Sequence, residues 1–187
     1  MKIAIIGAGF SGCNLYNNLK EKYEDITIFE KSRGVGGRLS TKYVDDKFID
    51  HGTSSLIPIT DDLKMFCLDL SSNGVVKAKY DEFIPKNGIN AICKFLIDEK
   101  DLIKNTKITK AQNIDNKWIL EDENHNIYKD FDLLFITIPA PQILQMKIEL
   151  SNEFKEKLSH IKYDSIFSLI LHSNEDIKLD KSVLYEN

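Results

Sequence analysis

Ile3-Ala4-Ile5-Ile6-Gly7-Ala8-Gly9-Phe10-Ser11-Gly12 decides how the rest of the chain is read. A short apolar run rich in β-branched isoleucine and stopped by glycine is the pattern of a strand buried on both faces. The glycines that follow fit G-x-G-x-x-G. In that pattern Gly7 supplies a tight turn, Gly9 lets the backbone approach a pyrophosphate, and Gly12 allows a helix to pack closely on the strand. The helix N-terminus then stabilises the anion, with Phe10 and Ser11 opening the helix. Leu15, Tyr16 and Leu19 carry the helical spacing on to Lys20, and Ile26-Thr27-Ile28-Phe29 reads as a second strand, so residues 3–29 predict a βαβ unit.

An acid is expected about 20 residues beyond the glycines, at the end of the second strand, where it accepts hydrogen bonds from ribose hydroxyls. Glu30 stands there. A glycine-rich turn with no ligand is the plain alternative, but strand, helix and acid in register favour a dinucleotide. The carboxylate also disfavours a 2′-phosphate on that ribose, which leaves NAD or FAD for this half-site.

The next stretch is Lys31-Ser32-Arg33-Gly34-Val35-Gly36-Gly37-Arg38. Arg33 and Arg38 are the only arginines among 25 basic residues, so a chain that otherwise uses lysine uses arginine only here. The planar guanidinium binds phosphate oxygens two at a time, which lysine cannot do. Gly36-Gly37 would let backbone N–H groups come close to the same phosphates. A solvated basic loop is the alternative reading.

Composition bounds the remainder. The 187 residues are 42% hydrophobic and 29% charged, enough for one core with room for a partial second lobe. With 25 Lys+Arg against 29 Asp+Glu there is no positive excess for a nucleic-acid partner. No apolar run reaches membrane-spanning length. Cys13, Cys67 and Cys93 form no CxxC pair, so no disulfide framework or zinc site is indicated and a cytoplasmic setting is expected.

Downstream, residues 30–52 read as a glycine-rich loop. Leu63, Phe66, Cys67 and Leu70 mark an amphipathic helix ended by Asn73-Gly74, with Asp61-Asp62 at its start; Ile89, Ile92, Cys93 and Leu96 mark another. Residues 102–128 read as short strands, with a hairpin whose arms are Trp118-Ile119-Leu120 and Asn126-Ile127-Tyr128. Residues 131–138 (FDLLFITI) predict a further buried parallel strand, Ser151 a helix cap, and residues 163–172 a last strand. Asp45-Asp46 read as a turn. The fold class is α/β, a Rossmann-type FAD/NAD(P)-binding unit with an antiparallel portion.

Glu30-Lys31-Ser32-Arg33-Gly34-Val35-Gly36-Gly37-Arg38, followed in order by Phe48-Ile49-Asp50-His51-Gly52, Pro85-Lys86-Asn87-Gly88-Ile89-Asn90-Ala91 and Ile138-Pro139-Ala140-Pro141-Gln142, resembles the renalase-like FAD/NAD(P)-dependent oxidoreductases of the flavin-containing amine oxidase superfamily. The resemblance implies a Rossmann-type domain at residues 1–45 and 88–140, and a partial, inserted antiparallel-sheet substrate domain at 46–87 and 141–187. It implies FAD as cofactor and NAD(P)H, or a similar small molecule, as substrate. Gly7, Gly9 and Gly12 would hold the pyrophosphate and Glu30 the adenosine ribose. Arg38, with Gly37, would meet the pyrophosphate and the flavin side, the backbone near Ile108 would flank adenine, and Asp50-His51-Gly52 would approach the flavin ring.

Relatives of this kind run longer. The resemblance therefore implies a chain whose C-terminal part lies elsewhere: a truncated or split-gene nucleotide-binding module without turnover, or one completed by a second polypeptide. His51 is the histidine in a motif context, as a catalytic candidate or a structural hydrogen-bonding group. The cysteines read as small buried apolar residues, Cys13 lying near enough to the helix N-terminus for mild activation. No metal site is expected.

Overall fold

The computed structural model describes residues 1–44, 47–164 and 169. In chain order its elements begin with β1 (Lys2–Ile6), α1 (Phe10–Leu19), β2 (Asp25–Phe29), β3 (Thr41–Val44), β4 (Lys47–Asp50) and α2 (Asp61–Ser72). There follow β5 (Val76–Lys79), β6 (Glu82–Pro85), α3 (Ala91–Leu96), β7 (Leu102–Ile103), β8 (Ile108–Ile114) and β9 (Lys117–Asp122). The last are β10 (Ile127–Phe131), β11 (Leu133–Ile136), α4 (Ala140–Gln145), β12 (Lys147–Ile148) and α5 (Asn152–Ser159).

The first sheet runs β11-β1-β2-β7, every neighbouring pair parallel, with Ile3 opposite Ile26 on one side and Leu133 on the other. Side chains alternate across a strand, and β1 shows what that achieves. Ile3 and Ile5 enter a core with Cys13 and Tyr16 of α1 and Ile92, Cys93 and Leu96 of α3. Ala4 and Ile6 point the other way, into a second core with Phe29, Ile108, Ala111, Leu120 and Phe131. Helices cover one face of the parallel sheet; a second sheet, ordered β10-β9-β8-β12, covers the other. This sandwiching explains why β1 carries no polar residue beyond Lys2.

The predicted βαβ unit, the two amphipathic helices and the 118–128 hairpin are present, the last with Tyr128 opposite Leu120. Thr60 and Ser151 cap α2 and α5 through their hydroxyl oxygens, and Asp61 and Asp62 lie in the first turn of α2. Three expectations change. Residues 30–52 are not all loop: β3 and β4 form a hairpin, with Thr41 opposite Asp50. The apolar run 131–138 is divided, because Asp132 breaks it and leaves Phe131 to β10 in the second sheet. There the Asp132 carboxylate accepts the Lys2 backbone N–H at 2.7 Å. β11 does pair parallel to β1, but it is the edge of the described sheet and only half-buried. The strand expected at 163–172 and the turn at Asp45-Asp46 lie outside the described residues, apart from residues 163, 164 and 169, which are not in a strand. No helix among the described residues is long and apolar enough to cross a membrane.

Asp122, only 2% exposed, organises the β9–β10 turn. One carboxylate oxygen accepts the N–H groups of Asn124 and Asn126, the other the Asn126 amide and the Tyr128 hydroxyl. Burial alone would raise its pKa, but these donors outweigh it and hold the carboxyl below its ordinary value of 3.8. A group depressed on folding contributes stability in full above its unfolded pKa and loses it as pH falls through the folded one. The gap in urea midpoint between the parent and Asp122→Ala should therefore be constant from about pH 7 to 5 and narrow below about 3.8.

Candidate functional site

The carboxyl ends of β2, β1 and β11 lie side by side, and the chain leaves β1 for β2 on one side while β11 returns on the other. That is a topological switch point, where parallel α/β sheets open a crevice for ligands. A cleft of about 1240 Å³ opens here, larger than the ~300–1,000 Å³ usual for small-molecule pockets.

Its floor is the glycine turn. Gly7 sits at φ +105°, a conformation that disfavours any side chain. Gly12 is packed so tightly that a Cβ there would lie 2.0 Å from the Gly7 carbonyl oxygen and 2.8 Å from Thr137 Oγ1. Gly9 differs: its backbone is extended, φ −75° and ψ 179°, and a Cβ would meet nothing nearer than the Gly36 oxygen at 4.0 Å. The fold itself thus tolerates a side chain at Gly9, and the space it would occupy opens into the cleft. No side chain caps α1, and its first turn holds no acidic residue. The helix N-terminus therefore presents its positive end to the cleft with no cap or acid from its own helix, the nearest carboxylate being Glu30 on the Ala8 N–H.

Glu30 closes one wall. It is 8% exposed, and its two carboxylate oxygens each accept one backbone N–H at 2.8 Å, from Ala8 and from Ser32. Each oxygen keeps a further lone-pair direction for a ligand hydroxyl. Beyond β2 the chain folds back so that Gly36 N–H donates to the Ala8 carbonyl at 2.9 Å, laying residues 36–38 beside the glycine turn. Arg38 is exposed and lines the cleft, as do Gly36 and Gly37. The opposite wall is the segment after β11, where Thr137 Oγ1 lies 3.0 Å from the Ile6 and Gly7 carbonyl oxygens. Across the opening, Lys31 Nζ donates to Gln142 Oε1 of α4 at 3.1 Å.

Most of the residues singled out from sequence meet in this cleft: Gly7, Gly9, Phe10, Ser11, Glu30, Lys31, Gly36, Gly37, Arg38, His51, Gly52 and Ile108 all line it. Gly12 lies beneath the floor, as its packing role requires. Arg33 is exposed and is not among the lining residues, so of the two arginines Arg38 alone lines the cleft. Asp50 also stays out of the cleft; its carboxylate turns back to Thr41 and the Ile89 N–H. His51 is exposed, with Nδ1 3.3 Å from Ser40 Oγ. The expectation of an activated Cys13 is overturned. Hydrogen bonding with Cys93 and burial push its thiol far above the ordinary range, and its sulfur lies 3.4 Å from the Ala8 carbonyl oxygen. Sequence reasoning missed Thr53, Thr106, Lys107, Thr137 and Met146, which also line the cleft. The signal for Thr137 was its place at the end of a parallel strand. Among the described residues no cluster could hold a metal ion.

This geometry is that of a Rossmann-type fold with an open crevice at its switch point, and residues 5–70 match the family model described as the NAD(P)-binding Rossmann-like domain. The chain is similar to renalase of Mus musculus, 21% identical over an alignment of 206 positions covering 95% of this chain and 60% of renalase. It is also similar to prenylcysteine oxidase 1 of Bos taurus, 38% identical over 77 residues that cover 40% of this chain and 15% of that protein. Among solved structures, the CLA-producing fatty acid isomerase from P. acnes superposes with a TM-score of 0.65 at 14% identity, covering 84% of this chain and 63% of that one, which speaks for the fold alone. The resemblance drawn from the motifs stands: the chain is similar to renalase over 95% of its length. It spans about 60% of the length of renalase.

The glycines separate fold from ligand. Gly12→Ala should cost about 1–3 kcal/mol of stability through overpacking, whereas Gly9→Val should leave the thermal midpoint nearly unchanged and abolish dinucleotide binding, read by calorimetry. Arg38→Lys should weaken dinucleotide binding although charge is kept. Glu30→Ala should lose roughly 1.5–3 kcal/mol of binding and also lower the unfolding midpoint, since two backbone N–H groups lose their acceptor.

Proposed function

We propose that this chain binds FAD in the cleft and serves a renalase-like oxidoreductase that takes a hydride from a reduced nicotinamide, or a similar small donor. The observation that supports this reading above others is the continuous wall running from Glu30 through the open space at Gly9 to Arg38 and His51. An adenosine ribose suits the acid, a pyrophosphate suits the space over the helix N-terminus, and Arg38 suits the phosphates from the far side. A mononucleotide would leave the Arg38–His51 end of this wall without use. Bound FAD would supply the redox chemistry, accepting the hydride and returning the electrons to dioxygen, while the protein positions the reactants. His51 and Gly52, joined by backbone hydrogen bonding to the Arg38–Ser40 segment, are the residues assigned to the flavin side. The three buried, unbridged thiols support a reducing, cytoplasmic setting.

Reconstitution with FAD should give a yellow protein whose visible absorbance is bleached anaerobically by NADH or NADPH and restored by air. Retention of FAD without bleaching would leave a nucleotide-binding module without turnover; absence of FAD retention would remove the flavin from the reading altogether. Native mass measurement of the untagged protein reads out whether a second polypeptide accompanies it.

A further inference from the structure

The residues that line the flavin end of the cleft emerge from the base of one small hairpin. Arg38 and Ser40 lead into β3, and His51, Gly52 and Thr53 follow β4. These two segments are joined to each other: His51 N–H donates to the Ser40 carbonyl at 3.1 Å, and Thr53 N–H to the Arg38 carbonyl at 3.3 Å. Gly52 packs so closely that a Cβ would lie 2.0 Å from the Arg38 oxygen. Leu39, between Arg38 and Ser40, is buried in the core, whereas β3 and β4 beyond it form a two-stranded hairpin, which is marginally stable alone.

The anchor lies one residue back from the cleft on each strand. Asp50 Oδ1 accepts from Thr41 Oγ1 at 2.6 Å and from the Ile89 N–H at 2.8 Å. Thr41 Oγ1 in turn accepts the Asn90 N–H at 3.1 Å. Gly88, at φ +84°, lies so near Thr41 that a Cβ would come within 2.4 Å of its methyl group. Further out on the hairpin, the Tyr43 hydroxyl donates to Asn90 Oδ1 at 2.8 Å. The Asn87-Gly88-Ile89-Asn90 turn leads directly into α3, whose Ile92, Cys93 and Leu96 belong to the core shared with β1. Asp50 thus joins Thr41 and Tyr43 in connecting the hairpin to the rigid part of the fold, and it is the member of that set that directly adjoins His51. A carboxylate suits the place because a single oxygen must accept from a hydroxyl and an amide at once, and ionised acceptors form the stronger bonds.

We propose that Asp50 is the positioning residue for the flavin half of the site, acting through Thr41 and the Ile89 N–H to hold Arg38 and His51-Gly52 against the cleft. The proposal deepens the dinucleotide reading and rests on it for its ligand. The adenine half, built on Gly7–Gly12 and Glu30, is held by other contacts and does not depend on Asp50.

The test compares Asp50→Ala and Asp50→Asn with the parent by amide hydrogen exchange without added cofactor and by titration with ADP and with FAD. In Asp50→Ala, exchange over residues 38–53 should quicken about tenfold while residues 2–30 keep their protection, and FAD affinity should fall about tenfold with ADP affinity within twofold. Asp50→Asn, whose amide oxygen can still accept both hydrogen bonds, should restore most of both effects. Unchanged exchange over 38–53, equal loosening of 2–30, or parallel loss of ADP would overturn the proposal. If Asp50→Ala does not fold, Thr41→Val decides by the same comparisons, since it removes the hydroxyl that joins Asp50 to Asn90. A parent chain that binds ADP but not FAD would defeat the flavin reading, while the exchange comparison still decides the role of Asp50.

Discussion

The Gly12 backbone of α1 lies so close to the Gly7 carbonyl, just past β1, that no Cβ would fit between them, and the site follows from that approach. Only a residue without Cβ lets the helix axis come so near the strand. That nearness directs the α1 N-terminus over the edge of the sheet, brings Cys13 and Tyr16 down onto Ile3 and Ile5, and leaves Gly9 at the lip with free space above it. Thr137 completes the contact from the other side. Its hydroxyl bridges the carbonyls at the end of β1, so the turn is gripped between a helix and a neighbouring strand.

Glu30 has two tasks in this arrangement. It fastens the glycine turn to the start of the next loop through Ala8 and Ser32, and its remaining lone pairs face the cleft. A residue that holds the site's shape and presents an acceptor to the ligand needs no separate scaffold, and it spends little conformational entropy on binding because it is already fixed. Arg38, exposed and carried on a glycine-rich loop, is the opposite kind of residue. Its placement depends on backbone contacts on either side of it, from Gly36 to Ala8 and from Thr53 to Arg38.

The contrast explains what the sequence revealed and what it concealed. β1, α1, β2 and Glu30 were legible because the buried strand, the glycine turn and the acid each have a local physical cause that shows in residue type and spacing. The β3–β4 hairpin was not legible: Lys42, Tyr43, Val44, Lys47 and Phe48 are all exposed, so no alternation marks the strands. The run 131–138 misled for a related reason. Phe131 and Leu134 are both apolar, yet they serve different strands in different sheets, and only Asp132 between them marks the break. Arg33 and Arg38 looked alike by composition; the fold of the loop, which no spacing rule describes, places one in the cleft and leaves the other outside. Asp50 carried a motif but not a direction, and its direction depends on Thr41, nine positions back, and on the Ile89 N–H, 39 positions further along the chain.

The bond from Thr137 to the β1 carbonyls spans 130 residues of sequence, as does that from the Lys2 N–H to Asp132. The most local-looking motif in the protein, ten residues at its amino end, is therefore finished by one of the most non-local contacts in the chain. Contacts so far apart in sequence raise the contact order of the fold, which slows folding. During synthesis the glycine turn emerges first but must wait for β11 before its second wall exists. A nascent chain carrying every residue of the fingerprint would still lack the wall that Thr137 and the end of β11 supply.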